Sequence, residues 1–170
     1  MRAPRGKRLS RAGTAAALTV ALAVLGCGGG GGGSAESRAA FVKQADTVCA
    51  DGKQQFQKAQ ATPPESARQA EQQTAKLVAL TQAELKRLRA LKPPGELRAD
   101  YDAYLKARQD AVAVLLKGQL AAKRNDPQGY ASAKDEIARG QAGRSNLARK
   151  VGLNVCSKPQ ARAAGAQQSG

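Results

Sequence analysis

KLVALTQAELKRLRALKPPGELRADYDAYLKARQDAVAVLLKG, residues 76–118, decides the fold. Before its break, Leu77, Thr81, Leu85, Leu88 and Leu91 recur at spacings of three and four, the period of one helical face. Pro93-Pro94-Gly95 then ends the run, because proline lacks the amide proton that a helix interior needs. After it, Leu97, Tyr101, Tyr104, Leu105, Val112, Leu115, Leu116 and Gln119 return on or near one stripe. The segment predicts two amphipathic helices joined by a tight turn.

The same pattern extends in both directions. A first helix is predicted over 35–60, with Phe41, Ala45, Val48, Cys49, Gly52 and Phe56 on its inner face. Thr62-Pro63-Pro64-Glu65 marks a break and a restart, with Thr62 as cap and Glu65 at the capping-box position. The second helix then runs to about 91, turning Ala70 and Thr74 inward as well, and the third spans about 95–124. Asn125-Asp126-Pro127 opens a fourth over 127–151, with Tyr130, Ile137, Leu147 and Val151 inward; Gly152-Leu153 fits a glycine cap with its apolar follower. Gly140 and Gly143 either weaken this helix or mark a close helix contact. Four helices on short connections predict an all-α fold, an antiparallel up-down-up-down four-helix bundle.

Composition narrows the chemistry. There is no His among 170 residues, so a histidine-ligated metal, a Ser-His-Asp triad and a Cys-His pair are excluded within this sequence. Aromatic residues are 3%, too few for a typical β-sandwich or a base-stacking surface. Phe41 is expected beside Tyr101 and Tyr104 at one end of the bundle, and Phe56 beside Tyr130 at the other, as plugs in an Ala/Leu core. A ligand site, if the helices enclose one, is expected between Tyr101, Tyr104 and their neighbours. Asp135-Glu136 and the pair Asp100 and Asp102 are too close in sequence to share a helix face, and Ser145 and Lys150 show no sign of a pocket; none makes a convincing catalytic pair. No enzyme, cofactor or metal site is expected.

The N-terminus reads as an export signal. Arg2, Arg5, Lys7, Arg8 and Arg11 precede an uncharged run over 14–25. As a helix that run reaches about 18 Å, short of the roughly 30 Å hydrocarbon core. Val24-Leu25-Gly26-Cys27 resembles the lipobox of bacterial lipoproteins. The resemblance implies cleavage before Cys27, diacylglycerol on its sulfur, an acyl chain such as palmitate on the new amino group, and a place on the extracytoplasmic face of the cell membrane. Residues 28–33 are six glycines, which read as a flexible tether. The expected order is signal peptide 1–26, lipidated Cys and tether 27–34, bundle 35–156, and disordered tail 157–170.

With Cys27 consumed by lipid, Cys49 and Cys156 remain, an even number in an oxidising compartment. A bridge between them is expected; two buried thiols or a redox pair are the alternatives, and no CxxC spacing supports the latter. Cys49 lies mid-helix, so either the fourth helix ends early or 152–156 folds back along the first helix. Lipobox, tether, a helix bearing one Cys and the ending Gly152-Leu153-Asn154-Val155-Cys156 together resemble small helical lipoproteins of high-GC bacteria. That resemblance implies an anchor and an address, and no activity.

Formal charge is +15 overall; 1–26 holds five basic residues and no acidic one, leaving +10 from Cys27 onward. Acidic residues open the later helices and basic ones close them, which suits the helix dipoles. Export makes nucleic acid an improbable partner. The expected function is a membrane-tethered, non-enzymatic envelope module that meets anionic lipids or polymers or an envelope protein, the alternative being a small-ligand sensor or carrier with a site between the helices.

Overall fold

The structure, a computed structural model, describes residues 33–159, with side chains from Arg38 onward. The expected signal peptide at 1–26, Cys27, the glycine run to 32 and residues 160–170 of the expected tail lie outside the described residues. Four helices follow in order: α1 Gly33–Ala59, α2 Ala67–Arg89, α3 Arg98–Lys123 and α4 Pro127–Val151, with a single 3₁₀ turn at Gly95–Leu97 leading into α3. The fold is an all-α four-helix bundle. α1 begins at Gly33, two residues before the expected start of the bundle at 35, and Ser157 is buried with its hydroxyl donating to the Asn154 carbonyl at 3.0 Å. The folded unit therefore extends past both expected boundaries.

Local chemistry sets the helix ends. Asn125 takes a left-handed φ of 55°, a conformation asparagine tolerates, and so closes α3. Asp126 caps α4 by accepting from the Gly129 amide at 2.9 Å. At the start of α2 the cap is Ser66, accepting from the Gln69 amide at 3.2 Å, and not Thr62. The reason lies in Pro63-Pro64: a residue before proline is driven out of the helical region, so no helix starts at Pro63. The reciprocal half of the motif comes from Gln69, whose side chain accepts from the Glu65 amide at 2.7 Å.

Pairs across the interfaces run in opposite chain order. Asp51 meets Arg87 at 2.8 Å while Gln73 reaches back to the Ala59 carbonyl. Tyr101 meets Leu88, and Gln119 meets Glu71. Lys117 meets Glu136. Between α1 and α2, and between α2 and α3, the paired residues thus run in opposite chain order. α3 and α4 come close at Gly118, where an added Cβ would sit 3.2 Å from that of Ala133. Gly143 faces open space and Gly140 only the side chain of Arg144, so neither marks the helix contact expected there.

The best-filled core is at one end. Phe41, Ala45, Val48 and Cys49 of α1 meet Leu88, Leu97, Tyr101, Tyr104, Ala148 and Val151. Phe41 packs edge-on against Tyr101 with ring centroids 4.9 Å apart, and Tyr101 donates its hydroxyl to the Leu88 carbonyl at 2.8 Å. Toward the other end the buried residues of α3 are Ala111, Val112, Gly118, Ala121 and Ala122, all of them small apart from the valine. That narrow stripe leaves Leu116 exposed, against expectation, and Leu105 and Leu115 only half-buried.

The chain after α4 resolves the two routes open to Cys156. α4 runs its full length, Gly152 turns at φ 91°, and the Leu153 amide returns to the Ala148 carbonyl at 2.9 Å. The backbone then folds along α1. There the Asp46 carboxylate accepts the amides of Asn154, Val155 and Cys156 at 3.0, 2.8 and 3.3 Å. Lys53 Nζ donates to the Val155 carbonyl at 2.6 Å. Cys49 and Cys156 form a disulfide with Cα atoms 5.2 Å apart.

Candidate functional site

Small residues at the far end leave space. A cleft of about 780 Å³ opens between the helices there, walled by Phe56 of α1, Leu77 of α2, Val114 and Leu115 of α3, and Tyr130 and Ile137 of α4. Phe56 and Tyr130 are half-buried on its walls and form no aromatic pair among the described residues, so they do not plug this end as expected. The physical reason is the distribution of contacts. α1 and α4 meet around Phe41, Ala45, Ala148 and Val151 at the disulfide end, and the small stripe of α3 supplies too little volume to close the gap beyond. Tyr101 and Tyr104, with whose neighbours a ligand site was expected, do not line this cleft: both are 1–2% exposed and packed into the core. Burial pushes the Tyr104 hydroxyl up to about 12, and that hydroxyl lies 3.7 Å from Cys49 Sγ.

Charged groups gather where the cleft approaches this core. Glu84 of α2 is buried and ion-paired to Arg108 of α3, which is itself only 14% exposed along its side chain. Burial raises the Glu84 carboxyl above the usual range, against the pull of Arg108 and, more weakly, Lys53 and Arg87. Space for that carboxyl comes from α1: an added Cβ at Gly52 would lie 2.8 Å from Glu84 Cδ and Oε2. Arg108 lines the cleft together with Arg144 of α4. Arg144 donates to the Ile137 carbonyl at 2.7 Å and to Gln141 Oε1 at 3.3 Å. Burial, and then the nearby Arg108 charge, lower the Arg144 pKa. At the rim stand Lys134, 5.7 Å over the Tyr130 ring, and Asp135.

Gly52→Ala tests this arrangement. The new methyl must displace a carboxyl held by Arg108, and overpacking of this kind costs about 1–3 kcal/mol, more than the roughly 1 kcal/mol that alanine gains in a helix. Net destabilisation is expected in urea titrations. In a Glu84→Ala background the clash is gone, and the same change should stabilise by about 0.5–1 kcal/mol.

Of the residues singled out in the sequence, the structure joins Cys49 to Cys156, and Cys27 lies outside the described residues. Glu136 pairs with Lys117, and Ser145 is buried and accepts from Gln141 at 3.2 Å. Among the described residues no group of three or more Cys, Asp or Glu is placed to hold a metal, and no helix is long and apolar enough to cross a membrane. Glu84, Arg108 and Arg144 escaped the sequence reading as site residues, and Gly52 was expected on the inner face of α1 but not as the space for a carboxyl. The signal was present, because Glu84 follows Thr81, Arg108 follows Tyr104, and Arg144 precedes Ala148 at the same spacings of three and four that mark the inner stripes. Comparison with family models, curated proteins and solved structures finds no match to this chain.

Proposed function

We propose that this chain is a lipid-tethered, non-enzymatic binding module on the extracytoplasmic face of the cell membrane, with its ligand held in the cleft between the helices. The observation that carries the ligand site is the cleft itself. Its volume falls within the roughly 300–1,000 Å³ usual for small-molecule sites, and apolar walls surround a few fixed polar groups. The lining offers hydrogen-bond donors and apolar surface, which bind and orient. The tether is supported by the lipobox at 24–27 and the glycines after it. Mass spectrometry of the mature N-terminal peptide is expected to find diacylglycerol on Cys27; an unmodified Cys27, or a peptide starting elsewhere, overturns the anchor. Cys27→Ser should release the protein from the membrane fraction with an unchanged thermal midpoint, because Cys27 lies upstream of α1.

A second reading, attraction to anionic envelope lipids or polymers, draws on the end of the bundle where α1 begins. Arg89, Lys92, Arg98, Arg149 and Lys150 are exposed there, with Glu96, Asp100 and Asp102 interspersed. Such binding would weaken steeply with salt, whereas the cleft would retain its ligand.

A further inference from the structure

The charges along the cleft do not cancel. Glu84 answers Arg108, but Arg144 has no carboxylate within ion-pair distance among the described residues. Only one nitrogen of its guanidinium, Nη2, has a protein partner there. Beside it, Arg108 Nε is fully buried with no partner. Placing a second cation next to the first in a half-buried site is unfavourable unless something compensates it. A guanidinium presents its donors in a planar fork that matches a carboxylate or phosphate. Next to these donors the walls turn apolar, at Phe56, Val114 and Ile137.

We infer that the cleft binds one small amphiphile, with an oxyanion head, carboxylate or phosphate, on the free donors of Arg144 beside Arg108, and an apolar body along Phe56, Val114 and Ile137. This rests on the reading of the cleft as the ligand site. The two arginines lie on different helices, so the head bridges α3 and α4 while the body reaches α1.

Isothermal titration of the chain from residue 28 onward, which retains every described residue and needs no detergent, decides it. The probes are decanoate, decyl phosphate, decanol and inorganic phosphate. Decanoate and decyl phosphate should bind at least about tenfold more tightly than decanol, the effect of one charge-assisted hydrogen bond or more. Inorganic phosphate should bind far more weakly than decyl phosphate. Arg144→Gln should bring both anions down to the level of decanol without changing the affinity for decanol. Arg144→Lys, which keeps the charge and loses the fork, should fall between, and guards against a folding defect in the first variant. Lys134→Gln at the rim should change little. Equal affinity for decanol and the anions would overturn the head assignment and leave the ligand cleft standing. Inorganic phosphate binding as tightly as decyl phosphate would overturn the apolar body. Failure of all four probes to bind would overturn the ligand cleft itself.

Discussion

Reducing the Cys49–Cys156 bridge, or replacing Cys49 by Ser, is expected to destabilise the bundle by about 2–5 kcal/mol, the range for native disulfides in small exported domains. The two cysteines are 107 residues apart in sequence. The loop-entropy treatment assigns about 4.7 kcal/mol to a closure near that size. Their Cα separation of 5.2 Å sits inside the roughly 4.4–6.8 Å that a disulfide spans. Position adds to the effect. α1 meets α4 at this end, and the bridge fixes the returning segment against α1 as well. Loosening it frees one wall of the cleft, since Phe56 belongs to the same helix. Urea titrations with and without reductant measure the cost. Two titratable thiols in the non-reduced protein, or a midpoint indifferent to reductant, would contradict the bridge.

Leu153→Ala should cost about 2–5 kcal/mol, the range for removing a fully buried leucine side chain. Leu153 has 0% exposure and sits one residue beyond the left-handed Gly152, where an apolar side chain normally docks back on the helix it follows. Its amide is bonded to Ala148, so the backbone holds the side chain over the core whether or not the residues beyond it are fixed. In a Cys49→Ser background the loss should be less than additive, because both substitutions release the same segment. The residual hold then comes from Asp46, which accepts three successive amides, and from Lys53. A cost below about 1 kcal/mol would show that the site collapses freely around the smaller side chain.

How far the sequence carries the fold follows from the range of the interactions involved. Asn125-Asp126-Pro127 and Gly152 mark both ends of α4 because caps and left-handed turns are decided within a few residues. The contact of Phe41 with Tyr101 is legible from periodicity once the topology is assumed. Thr62 fails as a cap for a local reason that outranks its own propensity, the backbone restriction imposed by Pro63-Pro64. The return of 153–156 along α1 is another matter. It depends on the carboxylate of Asp46, more than a hundred residues away, and no local signal announces that partnership.

The candidate site illustrates the harder limit. Glu84, Arg108 and Arg144 stand on inner stripes, yet in one sequence a charge at such a position reads the same as a long side chain lying along the edge of an apolar face with its head in water. What separates the two cases is supplied by other helices: Gly52 leaves room for the Glu84 carboxyl, and Arg108 pairs with it. The cleft has the same origin. Ala111, Gly118 and Ala133 read as good helix and close-contact residues, and only the assembled bundle shows that they leave Phe56 and Tyr130 half-buried on the walls of a space they do not fill.

Amide chemical-shift mapping of the bundle during titration with decanoate locates binding on the chain most directly. The expected result is a saturable set of shifts centred on Val114, Gly118, Ala133, Ile137 and Arg144, with Phe41, Ala45 and Tyr101 unmoved. Shifts confined to Lys92, Arg98, Arg149 and Lys150 and abolished by salt would place binding on the exposed basic end and contradict a site between the helices.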